Sequence, residues 1–377
     1  YVCVLWISRY ADRFLLVIAN LLAAIGMIVQ YRLSPETAFR QLILYGVGLL
    51  AMFVCIGLMH RHRIFRILNW PMILGSLAIL GVLLVVGKEQ GGAKNWIKIG
   101  DFSFQPSEFV KVALVFVSAN YLTQQKGWRD WLPSALFAIL ACGLLVAERD
   151  LGAALLIAGT YLILFYTATG DVKATLVGLG SGCVGAVASY FVFDHVRARV
   201  AIWQNPWATY ETSGYQIAQG LMAIASGGLW GLGLTQGSPK SIPAYNTDYI
   251  FAVICEEFGI IFGIAVIALY LVFIIRGALV ALYARDRYLM LVAFGCTVLI
   301  TLQSFIIIGG GIKLIPLTGI TMPFVSHGGS SLIASLMLLG ILEGVAMRNG
   351  DMLEDAMDAA LEEDRRISRQ EGGEHAG

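Results

Sequence analysis

Apolar runs long enough to cross a bilayer recur along this chain, and they restrict its fold more than any other feature. A helix of roughly 18 to 25 apolar residues spans the ~30 Å hydrocarbon core of a membrane. We place about ten such spans, near residues 14–31, 42–59, 71–86, 108–122, 132–147, 151–168, 174–193, 249–275, 288–308 and 329–347. Of the 377 residues, 58% are hydrophobic and only 14% are charged, a balance that soluble proteins do not show. The sequence therefore predicts an all-α polytopic membrane protein.

An even number of spans places both termini on one side of the membrane, and the distribution of Lys and Arg identifies that side as the cytoplasm. In this orientation the termini and the short cytoplasmic loops hold Arg9, Arg13, Arg61, Arg63, Arg66, Lys126, Arg129, Lys173, Arg276, Arg285, Arg287 and Arg348. The outer short loops hold the smaller set Arg32, Arg40, Lys88, Lys94, Lys98, Arg149 and Lys313. The long loop 194–248, between the seventh and eighth spans, then lies outside the cell.

The spans form a single predicted transmembrane domain over residues 1–347, followed by an acidic cytoplasmic tail over 348–377. We expect this tail to be disordered, because it is rich in acids and has no transmembrane length. The formal net charge of +1 argues against a nucleic-acid partner. We expect no organic cofactor, because the glycines between 227 and 233 lie in no strand–helix–strand unit of the dinucleotide-binding type. The six cysteines are scattered and form no metal-type pair.

Three acids mark the start of the eighth predicted span. Asp248 lies at its first turn, where capping of the helix N-terminus is the alternative to a functional role. Glu256 and Glu257 lie more than two turns deeper, about 12 Å along the helix axis. Acids at that depth should face protein or water, because lipid does not solvate a charge. We therefore expect this stretch to contribute carboxylates to a polar site.

Further charged residues precede the fourth and sixth predicted spans. Glu108 and Lys111 lie three residues apart, so they share one helix face and can neutralise each other. Asp150 ends a tight turn at 148–150, and we expect it to point into a cavity among the helices and to meet Lys111. The alternatives are a structural pair or a snorkelling lysine for the first two, and simple hydration of the turn for Asp150. The preceding stretch WIKIGDFSF alternates apolar and polar residues, as an interfacial segment or a short strand does.

Arg197 and Arg199 follow the seventh span, and guanidinium groups grip phosphate in a fork. Anchoring at lipid headgroups is the alternative role for both. The connection between the ninth and tenth spans combines two prolines with several glycines. Such irregular backbone at membrane depth is tolerated where it is packed in protein or lines a wet cavity. It supplies polar groups from Ser326, His327, Ser330 and Ser331, although a lone histidine is more often structural than catalytic.

Five segments together resemble the SEDS family of shape, elongation, division and sporulation proteins, which includes RodA, FtsW and SpoVE. They read FQPSEFVKVAL, ERDLGAALLI, SGYQIAQGLMAIASGGLWGLGL, NTDYIFAVICEEFG and IPLTGITMPFVSHGGSS, and they cover nearly all of the transmembrane chain. The chain departs from the family pattern at three places. His327 replaces a common tyrosine before Gly-Gly-Ser-Ser, Ala244 replaces an acid after a proline, and Arg149 replaces a proline before Asp150.

The resemblance implies a peptidoglycan glycosyltransferase of the bacterial cytoplasmic membrane. Such proteins polymerise lipid II into glycan strands at the outer face, for elongation or division, together with a class B penicillin-binding protein that crosslinks the strands. Asp248 matches the essential acid of the family, and Glu108, Lys111 and Asp150 match the polar cluster of its central cavity. Two other classes stay open at this point, a lipid II flippase and a non-catalytic scaffold for the penicillin-binding protein.

The implied reaction joins an acceptor 4-hydroxyl to an anomeric carbon and releases a lipid pyrophosphate. We assign Asp248 the role of general base or, alternatively, of ligand to a divalent cation such as Mg²⁺ or Mn²⁺. Candidates for neutralising the pyrophosphate are Arg197, Arg199 and Lys111. The remaining predicted cavity residues are Glu108, Asp150, Glu256, Glu257 and Ser330.

Overall fold

The computed structural model describes residues 10–90, 93–99, 102–124 and 127–374, which are helical except for one small sheet and the connecting loops. The helices are α1 (Arg13–Leu33), α2 (Pro35–His60), α3 (Arg63–Ile67), α4 (Asn69–Val86), α5 (Ser107–Gln124), α6 (Trp128–Ala147), α7 (Leu151–Thr169), α8 (Val172–Val192), α9 (Asp194–Gln204), α10 (Tyr215–Gly227), α11 (Ile250–Leu282), α12 (Arg287–Gly311) and α13 (Gly329–Glu374). The strands are β1 (Lys88–Gln90), β2 (Ala93–Ile99) and β3 (Phe102–Phe104). Two 3₁₀ turns cover Pro206–Thr209 and Pro239–Ser241.

Nine helices of the described ranges are long and apolar enough to cross a membrane, so the predicted polytopic all-α class is confirmed. The span predicted near 108–122 corresponds to α5, which is not one of these nine. Its 18 residues rise about 27 Å. Most of its side chains are buried, and it packs against α4, α6, α7 and α12. This helix therefore lies inside the bundle, where polar residues can meet partners from the protein.

Two regions contain helix outside the predicted spans. The segment 194–248, predicted as a long loop, contains α9, α10 and both 3₁₀ turns, and α10 packs along α11. Helix α13 extends to Glu374 and so includes most of the predicted acidic tail. The tail is rich in Ala, Glu, Leu, Met and Arg, which have high helix propensity.

Small residues allow the helices of the bundle to approach closely. Added to Gly340 of α13, a Cβ atom would lie 2.4 Å from the carbonyl oxygen of Met52 on α2. One turn further along, a Cβ atom on Gly344 would lie 2.6 Å from the Cβ atom of Met59. Small residues at such contacts let backbones pack directly in a membrane, where burial from water does not drive association.

The three strands form an antiparallel sheet in the order β1-β2-β3, between α4 and α5. Strand β2 pairs with β3, so that Ile97 faces Phe104 and Lys98 faces Ser103. The alternating pattern of WIKIGDFSF was compatible with an interfacial segment or with a short strand. In the structure its described residues form parts of β2 and β3. Asn95 lies in β2, and its side chain is buried.

Helix α11 is broken at Gly259, where φ is 87° and ψ is 167°. A break at membrane depth leaves backbone groups that lipid does not satisfy. The loop 228–233, here named the bracing loop, pairs with these groups. Its Leu232 and Gly233 amides donate to the carbonyl oxygens of Glu256 and Glu257, at 2.9 and 3.0 Å.

The glycines of this contact leave no room for side chains. The Ile260 amide returns a hydrogen bond of 3.0 Å to the carbonyl oxygen of Gly228. A Cβ atom on Gly231, where φ is 82°, would lie 2.3 Å from the carbonyl oxygen of Glu257. One on Gly259 would lie equally close, at 2.3 Å, to a carbonyl oxygen of the bracing loop. These glycines therefore allow the bracing loop to pack directly against the backbone of the broken helix.

Glu256 and Glu257, predicted as cavity residues, hold this region together instead. The Nε atom of Arg32 lies 2.7 Å from Oε1 of Glu257, and its Nη2 atom donates to the carbonyl oxygen of Gly237 at 3.1 Å. The Ser238 amide donates to Oε1 of Glu256 at 3.0 Å. Both carboxylates are buried, as their depth in the span required. Arg32 pairs with Glu257, and the Ser238 amide donates to Glu256, so neither carboxylate is a free group of the cavity.

Replacement of Gly231 by alanine is expected to destabilise the protein. The new methyl group would clash with the carbonyl oxygen of Glu257, and the left-handed backbone disfavours any side chain. We therefore expect the free energy of unfolding to fall by about 1–3 kcal/mol. The matched control is Gly57→Ala in α2, where an added Cβ meets no atom within 4 Å and alanine favours the helix. Thermal unfolding of both variants in detergent measures the difference. Equal melting temperatures for the two variants would contradict the bracing role.

Candidate active site

A cavity of about 700 Å³ opens between the small sheet, the N-terminal ends of α5, α7 and α13, helix α9 and the loop 312–328. Its charged and polar lining comes from Arg40, Asn95, Ser103, Gln105, Glu108, Lys111, Arg149, Asp150, Arg199, Thr247, Asp248, Thr318, Thr321, His327 and Ser330. The remaining lining is largely apolar and glycine-rich, so the cavity can take a molecule with both polar and apolar parts.

Glu108 and Lys111 form the ion pair that their spacing predicted. The Lys111 Nζ atom lies 2.9 Å from Oε2 of Glu108 and donates to Oε1 of Gln303 at 3.1 Å. Both charged side chains are buried. Gln303 is fixed in turn, because its Nε2 atom donates to the carbonyl oxygen of Thr321 at 2.9 Å. The charge of Lys111 is therefore neutralised before any ligand binds.

Asp150 lines the cavity as predicted, but it does not meet Lys111. Its Oδ1 atom accepts from the Ala153 amide at 3.0 Å, which caps the N-terminus of α7. Its Oδ2 atom accepts from Nδ2 of Asn95 at 2.6 Å and from Nε2 of Gln105 at 3.2 Å. The expected contact is wrong because these amides and the helix amide already satisfy the carboxylate. Asp150 thus fastens the sheet to α7.

Asp248 lies directly before α11 and faces the cavity, half-buried. Helix capping was the alternative for this acid, yet the N-cap position belongs to Tyr249 and no side chain caps the helix. Among the described residues, no cation lies within salt-bridge distance of the carboxylate. Burial raises the pKa of Asp248 to about 6, while the Thr247 hydroxyl and the Arg199 guanidinium act to lower it. Asp248 is therefore the cavity carboxylate that its neighbours leave unneutralised.

The two arginines predicted to bind phosphate have different positions. Arg199 lines the cavity, and its Nη1 atom donates to the carbonyl oxygens of Leu317 and Thr318 at 3.4 and 3.3 Å. Arg197 is exposed on another face of α9, pairs with Asp194, and is not part of the cavity lining. The structure therefore does not bring Arg197 into the cavity with Arg199, because residues two apart on a helix do not point in the same direction.

Ser330 and His327 both line the cavity at the start of α13. The Oγ atom of Ser330 accepts from the Gln105 amide at 2.9 Å. A ring nitrogen of His327, Nδ1, lies 3.0 Å from Oε1 of Gln41. His327 thus has the satisfied partner that is typical of a structural histidine.

Several residues in or next to the cavity escaped the sequence analysis. Gln303, which contacts the cavity residue Lys111, lies within the ninth predicted span, so its polar side chain was a signal that could have been read. Arg40 counted only toward the orientation of the chain, and Arg149 only toward that orientation and as a departure from the family pattern. No local pattern marked Asn95 as a site residue, because its burial depends on the sheet and on the Asp150 carboxylate.

The predicted divalent cation can be tested against the donors present. The described residues contain no group of three or more His, Cys, Asp or Glu side chains arranged to hold a metal. Of the cavity carboxylates, Glu108 is taken by Lys111 and Asp150 by amide donors, which leaves Asp248. A single carboxylate fits Mg²⁺ in the mode where water and substrate phosphates supply the other ligands. The residues thus fit a substrate-carried cation.

Comparison with known sequences gives a consistent result. The profile of the FtsW, RodA and SpoVE family, described as cell cycle proteins, matches residues 12–350. The peptidoglycan glycosyltransferase RodA of Mycobacterium tuberculosis is 35% identical over 370 residues, covering 90% of this chain and 78% of the relative. Stage V sporulation protein E of Bacillus subtilis is 35% identical, covering 89% and 96%. The probable peptidoglycan glycosyltransferase FtsW of Geobacter metallireducens is 32% identical, covering 91% and 96%.

Solved structures agree in fold. A peptidoglycan synthase complex that coordinates polymerization and crosslinking contains a chain with a TM-score of 0.78 and 27% identity, covering 90% of this chain and 98% of that one. The rod shape determining protein RodA of Thermus thermophilus has a TM-score of 0.67 and 28% identity, covering 89% and 96%. The matches in sequence and fold extend across the spans and the cavity. This chain is therefore a member of the FtsW, RodA and SpoVE family of multi-pass bacterial membrane proteins.

Proposed function

We propose that this chain is a peptidoglycan glycosyltransferase that polymerises lipid II into glycan strands. Relatives that carry this activity in their names cover nearly the whole chain. The observation that carries the proposal within the structure is the state of Asp248, a carboxylate that faces a 700 Å³ cavity without a neutralising partner. A half-buried acid without a neutralising partner is costly, and such costs are typical of catalytic sites.

The reaction needs a base and a stabilised leaving group. The acceptor 4-hydroxyl oxygen forms a bond to the anomeric carbon of the donor sugar, and its proton passes to the Asp248 carboxylate. The bond between the anomeric carbon and the donor diphosphate breaks, and the diphosphate leaves with the electron pair. Arg199 lies close enough to lower the pKa of Asp248, so it also lies near the position where the leaving group gains charge. A divalent cation brought by the substrate would supply further charge neutralisation at the diphosphate.

The other charged residues of the cavity support this arrangement without taking part in proton transfer. Glu108 and Lys111 neutralise each other, and Asp150 holds the sheet through Asn95. They fix the wall against which the sugars would lie. We assign them positioning roles, and we assign the base role to Asp248 alone.

The proposal includes the orientation and the partner expected from the sequence. Both termini are assigned to the cytoplasm, so that the cavity opens toward the outer face, where glycan strands are assembled. A class B penicillin-binding protein is the proposed partner. The similar complex, which coordinates polymerization and crosslinking, supports such an assembly.

Replacement of Asp248 by asparagine is expected to lower the polymerisation rate at least about 100-fold, because the amide cannot accept the hydroxyl proton. The assay combines purified chain, its partner with the transpeptidase blocked, and labelled lipid II, and gel electrophoresis resolves glycan strands. The control is Asp194→Asn, a side chain that is 93% exposed and outside the cavity. Full activity in Asp248→Asn would remove this residue from the mechanism, whereas unchanged lipid II with the unmodified chain would favour a flippase or a scaffold.

The activity is expected to fall on acidification with an apparent pKa near 6. An ordinary aspartate has a pKa of about 3.9, so its base form would persist to pH 5. Here the raised pKa means that the base form is lost as the pH falls through about 6. Removal of the Arg199 charge in Arg199→Gln raises the pKa of Asp248 further, so the acid limb of kcat/KM should move to higher pH. An acid limb that stays in place in this variant, or one near pH 4 in the unmodified chain, would contradict the assignment.

A further inference from the structure

Arg149 is the cavity residue for which neither the fold nor the proposed mechanism has a use. It is exposed, it lines the cavity, and its φ of 65° is in the left-handed region. This conformation is costly for a residue with a side chain, and non-glycine residues held in it are concentrated at functional sites. The turn around it enforces the conformation, because the Asp150 amide donates to the carbonyl oxygen of Leu145 at 2.8 Å.

The charge of Arg149 is not neutralised by the acids on either side of it. Asp150 is directed to Asn95 and to the start of α7. Glu148 is fully buried, and burial together with Asp150 raises its pKa to about 8, so it is mostly protonated at pH 7. Within the described ranges, Arg149 forms no salt bridge. The guanidinium therefore keeps its charge and its donors for a ligand.

Arg199 supplies a second guanidinium to the lining of the same cavity. Its contacts with two backbone carbonyls fix its position but use only one of its nitrogens, so further N–H donors remain. His195 lies within the electrostatic reach of both arginines, since each of them acts to lower the pKa of its imidazole. Both guanidinium groups are thus close enough to one imidazole to act on it electrostatically.

We propose that Arg149 and Arg199 together bind the diphosphate of the donor lipid, with one phosphate at each guanidinium. The phosphate on the anomeric carbon must lie near the base, so it belongs to Arg199, which is the arginine that acts on Asp248. The phosphate that carries the lipid then lies at Arg149. Lys111 is excluded from this role, because Glu108 already neutralises it. The assignment rests on the proposed function, and it makes Arg149 the residue that binds the phosphate shared by lipid diphosphates and lipid monophosphates, and Arg199 the residue that distinguishes them.

The first test measures binding of farnesyl diphosphate and farnesyl monophosphate to the purified full chain in detergent. The unmodified chain should bind the diphosphate more tightly. Arg149→Gln should lose about tenfold of the affinity for both ligands, the usual effect of removing a charged hydrogen bond, because both carry the lipid-bearing phosphate, whereas Arg199→Gln should lose affinity for the diphosphate alone. Arg149→Gly should behave in the same way while keeping the fold, because glycine suits the left-handed backbone. The control Arg197→Gln removes a charge from α9 outside the cavity and should change neither affinity.

Two results would overturn the proposal. One is unchanged diphosphate binding in both Arg149 variants, and the other is an equal loss for both ligands in Arg199→Gln, which would indicate a general electrostatic effect. The polymerisation assay then separates this inference from the proposed function. Arg149→Gln should raise the KM for lipid II about tenfold with little change in kcat, whereas Arg199→Gln should also lower kcat. A chain that polymerises lipid II with the same KM in Arg149→Gln would keep its proposed function and lose this subsite.

Discussion

Neutralisation of buried charge is the condition on which this structure depends. A bundle with many lipid-facing helices encloses several ionised side chains, and each unpaired charge away from water is costly. Most are therefore matched to fixed partners: Glu108 with Lys111, Glu257 with Arg32, and Asp150 with the amides of Asn95 and Gln105. These pairs also connect elements that are far apart in sequence, so that the same contacts neutralise charge and fix the walls of the cavity.

The exceptions to this pairing define the chemistry. Asp248 keeps an unneutralised carboxylate near Arg199, and Arg149 keeps an unpaired guanidinium in the lining of the same cavity. A transferase that expels an anionic diphosphate needs this combination, because the base and the cations act on charges that appear during the reaction. In this view the paired residues form the frame and the unpaired residues carry out the transfer.

The sequence predicted the parts of the molecule that depend on local pattern. Span lengths, the ion pair at a spacing of three, and the cavity positions of Asp150, Arg199, Asp248 and Ser330 follow from periodicity, depth and motif resemblance. Glu256 and Glu257 show why the rest was missed. Their depth correctly indicated that they face protein, but no local signal showed that their partners were Arg32, more than 200 residues away, and the backbone beside Gly237.

The broken helix has a consequence for how the protein is made. The peptide groups around Gly259 depend on the bracing loop, which the ribosome synthesises earlier. Until these two pieces meet, the short helix that follows Asp248 would expose bare carbonyls to hydrocarbon. Membrane insertion of this hydrophobic segment must therefore be coupled to docking of the bracing loop. The glycines at the contact permit this docking, so they also constrain the order of biogenesis.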